Sequence, residues 1–317
     1  GEYGCGKTHL LDYLYGVIGE RLGFAVARCS LDVNEVGLHQ PKNVYREFVK
    51  TFRFTSRGNG CVLDFGGFLR LREVQRILRD HIYFGSIDSD HIDAEVLHWI
   101  TGQEDSTRPW LPVGRGFQYL PPLYPYQNAA NIYTNLLTGL SYACRMVGGR
   151  GLVLLFDEAE FLNGPFTAYQ LARGQNFLDA IVRCVKEDSN ISDKPITTGL
   201  DYTRSARETP FLFRRGADLR ALFAFADPDI ADISSELKSA HRIKLEPLDT
   251  KSYDSALGQV KDLYNQAYGT EFSAEERDVQ TRWAQLQGIT DSPRLFFKGC
   301  VEVFDLARAK LESGVVL

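Results

Sequence analysis

The sequence has no C-x-x-C spacing among its six cysteines, Cys5, Cys29, Cys61, Cys144, Cys184 and Cys300. That scatter indicates neither a zinc site nor a disulfide framework, and reduced thiols of a cytoplasmic protein are the plain reading. An excess of positive charge is also missing. The net charge of -5 excludes a dedicated nucleic-acid wrapper and leaves room only for a local basic patch. No apolar run approaches the roughly 20 residues that span a bilayer; even residues 151–156 (GLVLLF) are cut short by Asp157. A membrane crossing is therefore not expected. There is no internal repeat, and strand signals are lacking after Pro247. The chain does not begin with methionine: Gly1 already belongs to a glycine motif. The strand expected to feed that motif is missing, so the chain is expected to be a fragment that is unstable alone.

The 317 residues, 44% of them hydrophobic, suffice for one large core or a core with a small satellite domain. Leu10, Leu11, Leu14, Val17 and Ile18 recur at helical spacing, and residues 24–31 (FAVARCSL) then read as a short buried strand. Pro41 suits the first turn of another helix through Val44, Phe48 and Phe52, ending near the Arg57-Gly58-Asn59-Gly60 turn cluster. Residues 58–127 read as a mostly helical insertion, with an acidic stretch (Asp88, Asp90, Asp93, Glu95) and an aromatic, proline-rich stretch over 117–126. A helix at 128–147 leads into 151–156, an apolar run suited to a strand buried on both faces of a parallel sheet. A helix at 167–185, a strand at 219–226 (LRALFAFA) and a short last strand at 242–245 follow. Strands alternating with helices predict an α/β, three-layer parallel sheet over 1–247. Three helices near 250–267, 273–287 and 292–313 form a small helical domain over 248–317.

Gly1-Glu2-Tyr3-Gly4-Cys5-Gly6-Lys7-Thr8 fits G-x-x-x-x-G-K-[ST]. In that pattern glycines let backbone N–H groups curl around phosphates at a helix N-terminus, the lysine reaches the β- and γ-phosphates, and the hydroxyl ligates Mg²⁺. Gly1, Gly4, Cys5, Gly6, Lys7, Thr8 and His9 are thus the candidates for holding ATP. About 150 residues on, the apolar strand ends in Asp157-Glu158. Asp157 would hold the magnesium beside Thr8, and Glu158 would orient or deprotonate the attacking water. Taken singly, this second element reads as a core strand entering an acidic turn; together the two motifs specify an ATP site. In Ser292-Pro293-Arg294 the serine suits an N-cap and the proline the first turn. A cation there opposes the helix dipole, so Arg294 needs an anion, either a nucleotide phosphate or a nearby carboxylate such as Asp291. His91 and His98 match no metal pattern and read as a solvated face, and the tyrosines and prolines at 117–126 read as packing of the insertion on the core.

GEYGCGKTHLL, LVLLFDEAE, LRALFAFADPD, HRIKLEPLD and the late SPR together resemble a P-loop ATPase of the AAA+ class, of the origin-recognition/Cdc6-like kind, over nearly the whole chain. More narrowly, GEYGCGKTHLL through FAVARCSLDVNEVGLHQPKNVYREFV resembles the ATP-binding proteins of bacterial BREX phage-defence systems. The resemblance implies a helical lid over the nucleotide, with Arg294 at the sensor 2 position and Asp227 nearest sensor 1. An acidic residue departs from the neutral one usual at sensor 1. Arg242 lies where some relatives carry an arginine finger, with Arg214 and Arg215 as rivals. The implied activity is Mg-dependent ATP hydrolysis as motor or switch in a multi-protein defence complex, with DNA and further copies of the chain among the partners. A nucleotide-gated initiator or loader is the competing reading. A small-substrate kinase would share the P-loop but would not need the Ser292-Pro293-Arg294 lid.

Overall fold

Alternation along three apolar segments builds the sheet. Ala25, Ala27 and Cys29 enter one buried cluster with Leu152, Leu154 and Phe156, while Val26, Val153 and Leu155 enter another. Successive strand residues point to opposite faces, so two clusters mean a sheet covered on both sides. The computed structural model describes residues 6–32, 35–56, 60–87, 94–103, 110–113, 116–119, 123, 129–159, 167–188, 214–225, 237, 240–245, 249–272 and 293–313.

In chain order the elements are α1 (Lys7–Val17), β1 (Ala25–Ser30), α2 (Pro41–Thr51), β2 (Phe54–Thr55), β3 (Val62–Leu63), α3 (Phe65–Leu69), α4 (Arg72–Leu78) and α5 (Ala94–Ile100). There follow β4 (Trp110–Val113), β5 (Gly116–Tyr119), α6 (Ala129–Met146), β6 (Leu152–Asp157), α7 (Ala168–Val185), β7 (Leu219–Phe223), α8 (Thr250–Tyr268) and α9 (Pro293–Ser313). The main sheet runs β1-β6-β7, all parallel, with Ala25 opposite Leu152 and Leu152 opposite Leu219. Every residue of β6 is buried. Leu11 of α1 packs on one face with Ile18, and α2, α6 and α7 cover the other through Phe48, Leu136 and Phe177. The result is the mixed α/β, layered arrangement expected from the strand and helix order.

Local sequence sets several element ends. Pro41 occupies the first helical position of α2, where its missing N–H costs nothing. Thr167 and Gln170 form a reciprocal capping box at the start of α7. Gly151, just before β6, has φ +114°, and a Cβ there would lie 2.3 Å from the Asp218 carbonyl oxygen, so only glycine fits.

The chain divides into two compact units, Thr8–His241 and Arg242–Leu317 together with Gly1–Lys7. In the second, α8 and α9 meet through Tyr253, Leu257 and Tyr264 against Phe296, Cys300 and Phe304. Tyr264 donates to Asp305 at 2.7 Å. Asp249 caps α8 by accepting from the Ser252 N–H at 2.8 Å.

Three expectations need correction or fall outside the described residues. The insertion expected over 58–127 contains α3, α4 and α5 together with β3, which pairs with β2 just before it, and the antiparallel ladder β4–β5. The last strand expected at 242–245 does not form: those residues are irregular, and Ile243 is 81% exposed, so there is no apolar face to bury. The helix expected at 273–287 lies outside the described residues.

A half-buried histidine gives the larger unit a defined acid response. His81 Nε2 donates to the Asn135 carbonyl at 3.1 Å, and Nδ1 accepts from the Tyr83 and Phe84 N–H groups at 3.2 and 3.3 Å. Both nitrogens are used in the neutral ring. Burial holds the imidazole down at about 4; the Asn135 hydrogen bond opposes this and the Arg214 guanidinium adds to it. Asp80, Tyr142 and Arg214 line the adjoining cavity of about 200 Å³. The folded pKa lies below the unfolded value of 6.5, so the unfolded chain binds the extra proton. Stability is full above that value and is lost as the pH falls towards 4. Melting temperatures measured between neutral pH and pH 4 should fall over this window. His81→Asn, which cannot take the proton there, should flatten the decline.

Candidate functional site

A carboxylate at the end of a wholly buried strand costs several kcal/mol unless it is paired. Asp157, the last residue of β6, is 2% exposed and is paired twice. Its Oδ2 accepts from Arg28 Nη2 at 3.1 Å, and its Oδ1 accepts from the Glu158 N–H at 3.0 Å. Glu158 sits at φ +54°, in the left-handed region that costs a non-glycine residue about 1–2 kcal/mol. That turn folds its amide back onto Asp157. The next residue, Ala159, donates to the Ala224 carbonyl at 2.9 Å, and the Ala224 N–H returns to the Phe156 carbonyl at 2.9 Å. The strand end is therefore pinned to its neighbour on both sides of the turn.

Arg28 stands on β1, where Ser30 lies opposite Asp157 and Arg28 opposite Leu155. Its backbone N–H donates to Thr51 Oγ1 at 2.8 Å. Its guanidinium forks: Nη2 holds Asp157, and Nη1 is hydrogen-bonded to Asp12 of α1. A second tether joins the same helix to the end of α2, from the Tyr15 hydroxyl to the Thr51 carbonyl. Thr8 and Asp12 are four residues apart and lie on one face of α1. The face that begins with Thr8 is thus tied, through Asp12 and Arg28, to the acidic end of the central strand.

Of the residues singled out from the sequence, Gly1, Gly4 and Cys5 lie outside the described residues. Gly6 has φ +91°, a conformation open to glycine, and Lys7, Thr8 and His9 form the first turn of α1 with Thr8 and His9 exposed. Asp157 and Glu158 stand together at the strand end. Arg294 is the second residue of α9, exposed, and makes no ion pair among the described residues. Ser292 and Asp227 lie outside the described residues, while Arg214, Arg215 and Arg242 are exposed. Sequence reasoning missed Arg28 and Asp12. The available signal was a cation inside the apolar run FAVARCSL, which demands an anion once the strand is buried.

Thr8 and Asp157 each carry oxygen atoms of the kind a hard divalent cation takes, and the Asp157 carboxylate is already paired with Arg28. Among the described residues no group of three or more His, Cys, Asp or Glu is placed to hold a metal ion. Burial, and then the charges of Glu47 and Asp32, push the thiol of Cys29, next to Arg28, far up.

Residues 1–65 match the family model of the BREX system ATP-binding protein BrxC/D. The matched segment takes in the glycine motif, α1, β1 with Arg28, α2 and the β2–β3 ladder. It spans about a fifth of the chain. No curated protein and no solved structure matches the chain significantly. Among the described residues no helix is long and apolar enough to cross a membrane.

Proposed function

We propose that the chain binds ATP with magnesium and hydrolyses it, as the motor or switch subunit of a multi-protein phage-defence complex of the BREX kind. The observation that carries this reading is the Asp12–Arg28–Asp157 bridge, which ties the helix following the glycine motif to the acidic end of the central strand. The family match over the same N-terminal elements supports it. So does the strand order, in which the acidic strand lies between the strand after α1 and a later parallel strand.

In this reading the loop of Gly1, Gly4, Cys5 and Gly6, with Lys7 and His9, holds the phosphates. Thr8 and Asp157 would hold the metal, which when bound would offset the charge that builds on the phosphates. Glu158 takes the proton from the attacking water. Arg294, as the resemblance implies, would serve as the cation that reads the nucleotide state. The partners are other subunits of the complex, with duplex DNA as the candidate substrate.

Lys7→Ala is expected to weaken ATP binding by about 10- to 100-fold, the loss of a charge-assisted contact of about 1.5–3 kcal/mol. Titration of a fluorescent ATP analogue measures this, and phosphate release with and without duplex DNA measures turnover. Equal ATP affinity in wild type and Lys7→Ala would remove the P-loop assignment. Tight ATP binding without turnover in wild type would favour the nucleotide-gated loader instead.

A further inference from the structure

Both carboxylate oxygens of Asp157 are already engaged, Oδ1 by the Glu158 N–H and Oδ2 by Arg28. Arg28 shares its charge with a second carboxylate, that of Asp12, whose side chain is 54% exposed while that of Arg28 is 23% exposed. A planar guanidinium can hold two anions at once, which a lysine ammonium on one stem does less well. The arrangement keeps a buried acid neutralised by an internal cation on the neighbouring strand. Any external cation that approaches Asp157 must compete with it.

We propose that Arg28 is a positioning residue that competes with the divalent metal for Asp157, with Asp12 as the alternative anion that accepts the guanidinium when the metal arrives. The inference rests on the nucleotide reading above and adds a residue that neither sequence motif contains. Exchange runs between two ion pairs. With metal absent, the fork holds Asp12 and Asp157 together and so holds α1 against the strand end. With metal bound, Arg28 keeps Asp12 and yields Asp157. No bond is made or broken beyond these ionic contacts. Metal binding is thereby linked to the position of α1, and the linkage is reciprocal: whatever strengthens the Arg28–Asp157 pair weakens metal binding by the same factor.

Two substitutions should move metal affinity in opposite directions. Arg28→Met removes the competitor, so Mn²⁺ in the presence of ADP, followed by the electron paramagnetic resonance of the free ion, should bind about tenfold more tightly. Asp12→Asn removes the alternative anion and concentrates the guanidinium on Asp157, so Mn²⁺ should bind more weakly. The second variant alters an exposed residue and keeps the question open to test if Arg28→Met does not fold. Measurement at about 0.5 M salt screens the long-range effect of the exposed charge. Arg28→Lys, which keeps a cation on Asp157 but holds Asp12 less well, should bind Mn²⁺ no more tightly than wild type does. Equal affinity in wild type, Arg28→Met and Asp12→Asn would overturn the inference and leave a plain structural ion pair, with the nucleotide reading standing. Absence of Mn²⁺ and ADP binding in wild type would remove that reading and this inference together.

Discussion

Replacing Glu158 by glutamine is expected to leave Mg·ATP bound and to lower turnover by about 10²–10⁴-fold, the usual contribution of a positioned general base. The substitution keeps the shape of the side chain and its polar end but removes the group that takes a proton. The backbone at this position is held in the left-handed region and its amide is donated to Asp157, neither of which depends on the side-chain charge. The strand end should therefore stay in place, and binding and chemistry should separate cleanly. Phosphate release and fluorescent-nucleotide titration on the same preparation read the two. Turnover within about threefold of wild type would exclude Glu158 as the base, since even a modest general base contributes about 10²-fold.

Phe156→Ala should be the most damaging core change. Phe156 is wholly buried in the central strand, with Phe48 edge-on at 5.0 Å and Phe223 stacked at 4.5 Å. Deleting such a ring leaves a cavity between α2 and β7, at a cost of about 3–5 kcal/mol. Against a total stability of about 5–15 kcal/mol the loss is severe, and the melting temperature should fall by on the order of 10 °C. Since Asp157 follows directly, nucleotide binding should fail in the same temperature range. Ile243→Ala is the control: with the side chain 81% exposed, its effect should stay within about 0.5 kcal/mol. A loss within about 1 kcal/mol for Phe156→Ala would mean that the central strand is not where the stability of Thr8–His241 resides.

Elements whose own residues carry their signal were readable in advance. Continuous burial of 152–157 follows from an unbroken apolar run, because no amphipathic position offers a solvent face. The start of α7 follows from Thr167 and Gln170 three residues apart, and the start of α2 from Pro41. Expectation failed where signals were short or split. A ladder of two residues, as in β2–β3, is too brief to show period-two alternation, and β4 contains Pro112, which ordinarily argues against a strand. At 242–245 a short strand was expected, yet Ile243 is 81% exposed and no pairing forms there among the described residues.

The candidate site divides in the same way. Lys7, Thr8, Asp157 and Glu158 could be named from the sequence because each belongs to a contiguous motif whose chemistry is local: glycines before a helix, acids at the end of an apolar strand. Arg28 and Asp12 could not be named. They stand 16 residues apart, and Arg28 is separated from Asp157 by 129 positions. Their meeting depends on β1 lying beside β6 in one register and on α1 crossing that face of the sheet. An isolated arginine in an apolar strand tells only that some anion must be near, because burying a lone charge is too costly. Which anion it is, and that one guanidinium holds two of them, was decided by strand pairing and helix packing, which bring distant residues within the few ångströms over which ionic hydrogen bonds act.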